Sequence, residues 1–304
     1  MVSYIFRRLL IALVAIFLLA TVTFFLMRLV PGDPFAGPRV APEIRTALRI
    51  QYGLDKPLLQ QYLLYMWNLL HGDLGLSLAS RGHPVTDIIA QAAPVSVDLG
   101  LRAMLISITL GLAFGIVAAL NRGTLLDYLT VILVLIGISM PSFVVAGLLQ
   151  YYFGVYWHVL PIARWENFQS TIMPAFALSL GTMATIARYM RASMLEIVHA
   201  DYIKTAFAKG LLPHQVVIRH QVRNALFPIL TILGPAVAQV LTGSFVVETV
   251  FAIPGLGRYF VTAMQNLDYT LVMGLTIFFG AFLIAMNFLV DVAYGLIDPR
   301  IRTA

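Results

Sequence analysis

Long apolar runs alternate with polar segments along the chain, and this alternation predicts its elements. Six runs approach the roughly 20 residues that a helix needs to cross about 30 Å of hydrocarbon. They lie at about 9 to 29, 100 to 120, 129 to 152, 170 to 190, 228 to 250 and 269 to 293. The first run follows Arg7 and Arg8, is too long for a signal peptide and leads into no small-residue cleavage site, so we interpret it as a retained span. The pattern predicts an all-α integral membrane protein with six transmembrane helices.

These runs divide the chain into three parts. Residues 1–30 form an N-terminal tail and first transmembrane helix, residues 31–99 a helical loop, and residues 100–304 a core of five transmembrane helices. Within 31–99, PEIRTALRIQYGL and PLLQQYLLYMWNLLHG have helical spacing, with Leu58, Gln61, Tyr62 and Tyr65 at steps of three and four. We expect a small helical cap there, with a loosely ordered loop as the alternative.

A second polar segment, at about 195–226, separates the fourth and fifth spans. Apolar residues recur at helical spacing from Leu195 to Leu211, which predicts one amphipathic helix ending near Gly210. Pro213 suits the first turn of a second helix. A basic amphipathic helix either lies on anionic lipid headgroups or contacts a soluble partner, and the periodicity leaves both readings open.

Composition and charge then set the class and the orientation. The chain is 60% hydrophobic and 11% charged, with a net charge of +6 and no Cys. Most Lys and Arg fall in 121–128, 191–227, 294–304 and at the edges of the first and fourth spans, whereas the loops at 153–169 and 251–268 hold only Arg164 and Arg258. Because cytoplasmic loops carry the excess of Lys and Arg, both termini are predicted to be cytoplasmic and residues 31–99 extracytoplasmic.

Signatures of catalysis are missing. No Lys follows a Gly, so the phosphate-binding P-loop motif is absent, and there is no HExxH metal motif. We therefore predict no catalytic residue, metal site or cofactor in this chain. Charge-free span centres also argue against a proton-coupled carrier. Gly and Pro in the spans are typical either of a pathway that opens and closes or of simple helix packing; if they line a pathway, we expect it near Pro141, Gly181 and Gly243.

Particular residues add what periodicity does not. DYIKTAFAKGL followed by RHQVRNALFP resembles the cytoplasmic loop of permease subunits of bacterial ABC importers of the dipeptide, oligopeptide and nickel family. The resemblance covers nearly the whole chain, through RRLL, RLVPGDPF, YGLDKPLLQQY, GDLGLSL, ISMPSF, ARYMRASMLE, FAIPGLGRYF and GLIDPRIR in order. The long first loop is similar to that of B-type permeases, and PFAGP, LPIARWENF and TGSFVVETVFAIPGLG are most like the oligopeptide branch.

The resemblance implies the fold of a type I ABC importer permease and a set of partners. These are a second homologous permease, two cytoplasmic ATPases that bind ATP and Mg, an extracytoplasmic substrate-binding protein, and a peptide; nickel or another small solute is the alternative substrate. A membrane scaffold that only binds a cytoplasmic protein is the alternative from a different class.

The resemblance also implies that the loop carries a coupling helix that contacts an ATPase, with the helix's glycine at Gly210. The residues that match the family's loop are Glu196, Asp201, Tyr202, Lys204, Ala206, Lys209, Gly210, Arg219, His220, Arg223 and Asn224. The chain departs from the family pattern at Phe207, Leu212 and Gln221-Val222, which affects the choice of ATPase partner and not the architecture.

Overall fold

The computed structural model describes residues 2–32, 35, 42–80, 82–241 and 244–297. Within them the named elements are helices, in the order α1 Val2–Leu29, α2 Pro42–Gln51, α3 Leu58–Leu70, α4 Val85–Leu120, α5 Leu125–Ser139, α6 Ser142–Leu149, α7 Phe168–Ile197, α8 Asp201–Ala208, α9 Pro213–Val216, α10 Arg223–Leu241, α11 Phe245–Val250, α12 Leu256–Gln265 and α13 Tyr269–Ile297. Two π-helical segments continue α6 over Gln150–Tyr156 and α9 over Val217–Val222. The all-α prediction is confirmed.

The six predicted spans correspond to helical stretches, with three differences: the second begins at Val85, the fifth begins at Pro213, and the third is bent. In the described part of the chain, five helical stretches are long and apolar enough to cross a membrane, and the bent pair of α5 with α6 and its π-helical extension is a sixth if its two arms form one span. The second span is longer than the predicted 100 to 120, because α4 begins at Val85.

The third span, predicted as one helix over 129 to 152, is broken. A bend of 106° separates Leu125–Ser139 from Ser142–Tyr156. Pro141 causes it: the pyrrolidine ring excludes the α conformation from the preceding residue, and Met140 has ψ 123°. Pro141 then caps the second arm, since its carbonyl accepts a hydrogen bond from the Val144 N–H at 3.0 Å.

The chain divides into two compact units, residues 1–95 with 254–304 and residues 96–253. In the first unit, α1 packs along α13, and an apolar core joins Val85, Ile88, Ile89 and Ala92 to Leu256 and Ala263 of α12 and Leu271, Val272 and Leu275 of α13. Asp268, fully buried, accepts hydrogen bonds from Ser77 Oγ at 2.5 Å and from the N–H groups of Leu78 and Leu271 at 3.0 Å. This carboxylate fixes the segment before α4 to the start of α13.

In the second unit, α7 is the central helix. It packs against α5, α6 and α10, and its Ile186, Met190 and Met194 form a core with Ala225 and Ile229 of α10. The second half of α4 also lies close to α7, so close that no side chain would fit at Gly111 or Gly115. A Cβ on Gly115 would lie 2.7 Å from the Ala187 carbonyl oxygen.

Candidate functional site

The segment between α7 and α10 folds as a short helix packed on the start of the next one. α7 ends at Ile197, and Ala200 is extended with ψ 144°, so α8 is a separate helix. The prediction of one helix from Leu195 to Leu211 is therefore wrong. The break allows Ile203 and Ala206, which are 1% and 5% exposed, to pack on Val216 of α9, a contact that a straight continuation of α7 would prevent.

The end of α8 is a glycine turn. Gly210 has φ +79°, and its N–H donates to the Phe207 carbonyl at 2.9 Å while the Leu211 N–H donates to the Ala206 carbonyl at 3.3 Å. These two bonds define a Schellman motif, which places a glycine in the left-handed conformation directly after the helix. The prediction that Gly210 ends the helix is confirmed.

The polypeptide then re-enters a helix at Pro213, also as predicted. The Leu212 N–H donates to the Gln215 side chain at 3.3 Å, and the helix continues through the π-helical segment into α10 without a break. The expected second helix is thus the beginning of the fifth span. Asn224 donates to the His220 carbonyl at 2.7 Å and bridges the π-helical turn to α10.

Most residues of the predicted coupling set are exposed. Glu196, Asp201, Tyr202, Lys204, Lys209, Gly210, Arg219 and Arg223 are exposed, and His220 and Asn224 are half-buried. Asp201 and Lys204 form an ion pair at 2.8 Å, which stabilises the helix little because both side chains are solvated. Ala206 differs from the rest, since it lies inside the apolar cluster and supports α8 from within.

Two of the departures from the family pattern are exposed as well: Phe207 is 46% and Leu212 55% exposed. The matching residue Tyr202 beside them is 44% exposed. These apolar side chains stand beside the basic ones, so the loop presents a mixed apolar and basic surface. Gln221, a third departure, is instead buried, 4% exposed within the π-helical segment.

An ion pair beside this loop was missed by reasoning from the sequence. Arg191 of α7 donates from Nε to Asp127 Oδ1 at 2.7 Å and from Nη2 to Oδ2 at 2.9 Å, and the Gly123 N–H donates to the same carboxylate at 3.0 Å. Asp127 is 3% exposed. This bidentate pair joins the start of α5 to α7 less than two turns before α7 ends. The two residues are 64 positions apart, so no local sequence pattern indicates that they pair.

The three residues expected along a pathway fall at different places. Pro141 is exposed at the bend of the third span. Gly181 is exposed on α7, and a Cβ there would meet no atom within 4 Å. Gly243 lies outside the described residues. The tight contacts of Gly111, Gly115 and Gly137 are with α7, which assigns those glycines to helix packing.

Comparison with known proteins defines the class. The model of the family described as binding-protein-dependent transport system inner membrane component matches residues 111–303, and the model of that component's N-terminal region matches residues 1–99. The chain belongs to this family. It is a multi-pass inner-membrane permease subunit, non-catalytic itself, of a binding-protein-dependent ABC importer.

The chain is similar to proteins that are named as the B permeases of peptide transport systems. The chain is 43% identical over 303 residues to the dipeptide transport system permease protein DppB of Bacillus subtilis, covering 99% of this chain and 98% of that protein. It is also 43% identical over 305 residues to the oligopeptide transport system permease protein OppB of Escherichia coli K12, covering 99% and 100%.

A solved structure shows the same fold. A chain of the MetNI methionine ABC transporter in an inward-facing conformation superposes with a TM-score of 0.52 at 17% identity, covering 70% of this chain and 95% of that one. The type I importer permease fold implied by the family resemblance is confirmed.

Proposed function

We propose that this chain forms half of the translocation pathway of an ATP-driven peptide importer. The observation that carries the proposal is the 43% identity, over 99% of the chain, to permeases named for dipeptides and for oligopeptides. The two identities are equal, so they support peptides as the class of solute and favour neither length. The oligopeptide-like segments PFAGP and LPIARWENF favour the longer peptides.

The complete transporter has further subunits. A second homologous permease supplies the other half of the pathway, two cytoplasmic ATPases bind ATP and Mg, and an extracytoplasmic binding protein delivers the peptide. The exposed basic and apolar surface on α8, including Lys204, Phe207 and Lys209, supports an ATPase contact at this loop. Both termini are cytoplasmic in this arrangement, in agreement with the distribution of Lys and Arg.

The loop is built to transmit force. α8 is held to the end of α7 and to α9 by the cluster around Ile203, Ala206 and Val216, and α9 continues into α10. A displacement of α8 by closing ATPases therefore moves two spans together. ATP binding drives transport through the difference in contact free energy between the two states of the complex.

The test is uptake by the reconstituted complex. Co-expression with the second permease, the ATPases and the binding protein, followed by reconstitution in proteoliposomes, should give ATP-dependent uptake of labelled peptide that unlabelled peptide inhibits and nickel does not. Uptake without ATP would indicate a carrier. Binding of a cytoplasmic protein without uptake under any combination of partners would indicate a scaffold.

Retention of the ATPase tests the loop separately. Phe207→Asp places a charge on the exposed face of α8 and should release the ATPase during purification. Val159→Asp is the matched control, because Val159 is 63% exposed and lies in a loop that is predicted to be on the extracytoplasmic side of the membrane. Equal ATPase retention by both variants would exclude α8 as the contact.

A further inference from the structure

The segment predicted to be extracytoplasmic carries an apolar helix face that the described residues leave largely uncovered, although the Trp67 ring contacts His71 at a centroid distance of 4.5 Å. On α3, Leu59, Leu63, Leu64, Trp67 and Leu70 are 67%, 58%, 45%, 62% and 79% exposed. They recur at steps of four, one, three and three, so they share one side of the helix. The uncharged Gln60 shares that side, and no charged residue interrupts it.

The opposite face of α3 is seated on α1. Tyr62 Oη lies 2.9 Å from Thr21 Oγ1, its ring stacks on Phe25 at a centroid distance of 5.4 Å, and Tyr65 stacks on Phe24 at 5.4 Å. These contacts involve the middle of α3. The helix is therefore held alongside the last turns of α1 and does not stand above them.

The depth of this contact follows from the charges on α1. Arg8 and Arg28 are 20 positions apart, which at 1.5 Å per residue corresponds to about 30 Å, the thickness of the hydrocarbon layer. Thr21 and Phe25 precede Arg28 by seven and three positions, so they lie about 10 and 5 Å below the level of Arg28. The middle of α3 is at the same depth, below the lipid headgroups.

We propose that α3 is a membrane-embedded interfacial helix whose outer face contacts lipid acyl chains, in the leaflet at the Leu29 end of α1. At that depth an uncovered side chain meets hydrocarbon, and Leu18, Val22 and Leu26 of the neighbouring α1 are exposed as well. The 13 residues of α3 span about 20 Å, too short to cross the bilayer. Asp55, Lys56 and Asp73 flank it, so its ends return to water.

This assignment modifies the expected small helical cap. Residues 58–70 serve as a second membrane contact that braces α1, whereas α2 remains a candidate part of the extracytoplasmic cap. The inference concerns lipid and is independent of which solute the transporter carries.

The test uses the absence of Cys from this chain. Leu63→Cys and Leu70→Cys, each carrying a nitroxide spin label, are assembled with cysteine-free partners and reconstituted in phospholipid vesicles. Lys56→Cys, just before the helix, is the control. Collision rates with molecular oxygen, which concentrates in hydrocarbon, and with a water-soluble nickel chelate are measured by electron paramagnetic resonance. We expect oxygen to dominate at 63 and 70 and the chelate to dominate at 56.

Two results would overturn the proposal. Dominance of the chelate at 63 and 70 would place α3 in water. Low collision rates with both reagents at these sites would show that another subunit covers the face. Should either variant fail to assemble, Leu59→Cys reports on the same face one turn earlier, and retained ATP-dependent uptake identifies the correctly assembled samples.

Discussion

At the scale of single residues, Gly210 has a conformation that other residues adopt at a cost. Its φ is +79° and its surroundings are open, so Gly210→Ala introduces backbone strain of about 1 kcal/mol and no steric clash. The strain weakens the turn that joins α8 to α9. We expect the variant to assemble but to lose part of the stimulation of ATPase activity by peptide-loaded binding protein, measured in proteoliposomes.

The chain offers a closely matched control for this prediction. Gly72 follows α3 with φ +77° and open surroundings, and Gly72 and Asp73 donate to the Leu69 and Asn68 carbonyls in the same pattern. Gly72→Ala introduces the same strain in a segment that is predicted to lie on the other side of the membrane. Similar loss of ATPase stimulation in both variants would mean that Gly210 has no specific role in coupling.

The ion pair between Asp127 and Arg191 gives a second prediction. Asp127→Asn keeps the shape but removes the charge of a carboxylate whose side chain is only 5% exposed, so the Arg191 guanidinium loses its charged partner. We expect destabilisation of about 2 kcal/mol, seen as a lower midpoint of thermal unfolding. Asp98→Asn is the control, because Asp98 and Arg102 pair at a similar 2.9 Å with side chains 42% and 34% exposed. A solvated pair of this kind contributes well under about 1 kcal/mol. Equal shifts of the unfolding midpoint in the two variants would show that burial of Asp127 adds nothing to the stability that its ion pair provides.

At the scale of elements, the close approach of α4 to α7 depends on glycine. A Cβ at position 115 would lie 2.6 Å from Met190 Cβ, whereas one at Gly181 would meet nothing within 4 Å. We expect Gly115→Ala to destabilise the protein by about 1–3 kcal/mol through overpacking. Gly181→Ala should not lower the midpoint of thermal unfolding, because the site is open and Ala favours a helix interior more than Gly does. If Gly115→Ala is neutral, α4 and α7 are not packed as described.

The same scale shows what the sequence determines locally. Hydrophobic runs located the spans, and Gly210 and Pro213 marked a helix end and a helix start, because these signals depend on the backbone preferences of single residues. The break after Ile197 has no such signal: it exists because Ile203 and Ala206 pack on Val216, a tertiary contact. Asp127 with Arg191 and α3 against α1 likewise depend on contacts between distant positions, which periodicity does not contain.

At the scale of the whole molecule, the bent third span decides the topology. If α5 and the arm Ser142–Tyr156 together cross the membrane, the chain has six crossings and both termini share one side. If the 106° bend returns the chain to the side it came from, there are five crossings and the termini lie on opposite sides. The loop at 121–124 and the loop at 157–167 are on opposite sides in the first case and on the same side in the second.

Single cysteines in a chain that otherwise lacks them distinguish these two topologies. Arg122→Cys and Glu166→Cys are both exposed positions, and a membrane-impermeant maleimide applied to sealed, right-side-out vesicles should label position 166 and not 122. Lys209→Cys should behave like 122, because the loop between α7 and α10 is predicted to be cytoplasmic. Labelling of 122 and 166 from the same side would make the third span re-entrant. It would also place the coupling loop and the N-terminus on opposite sides of the bilayer, in conflict with the distribution of Lys and Arg.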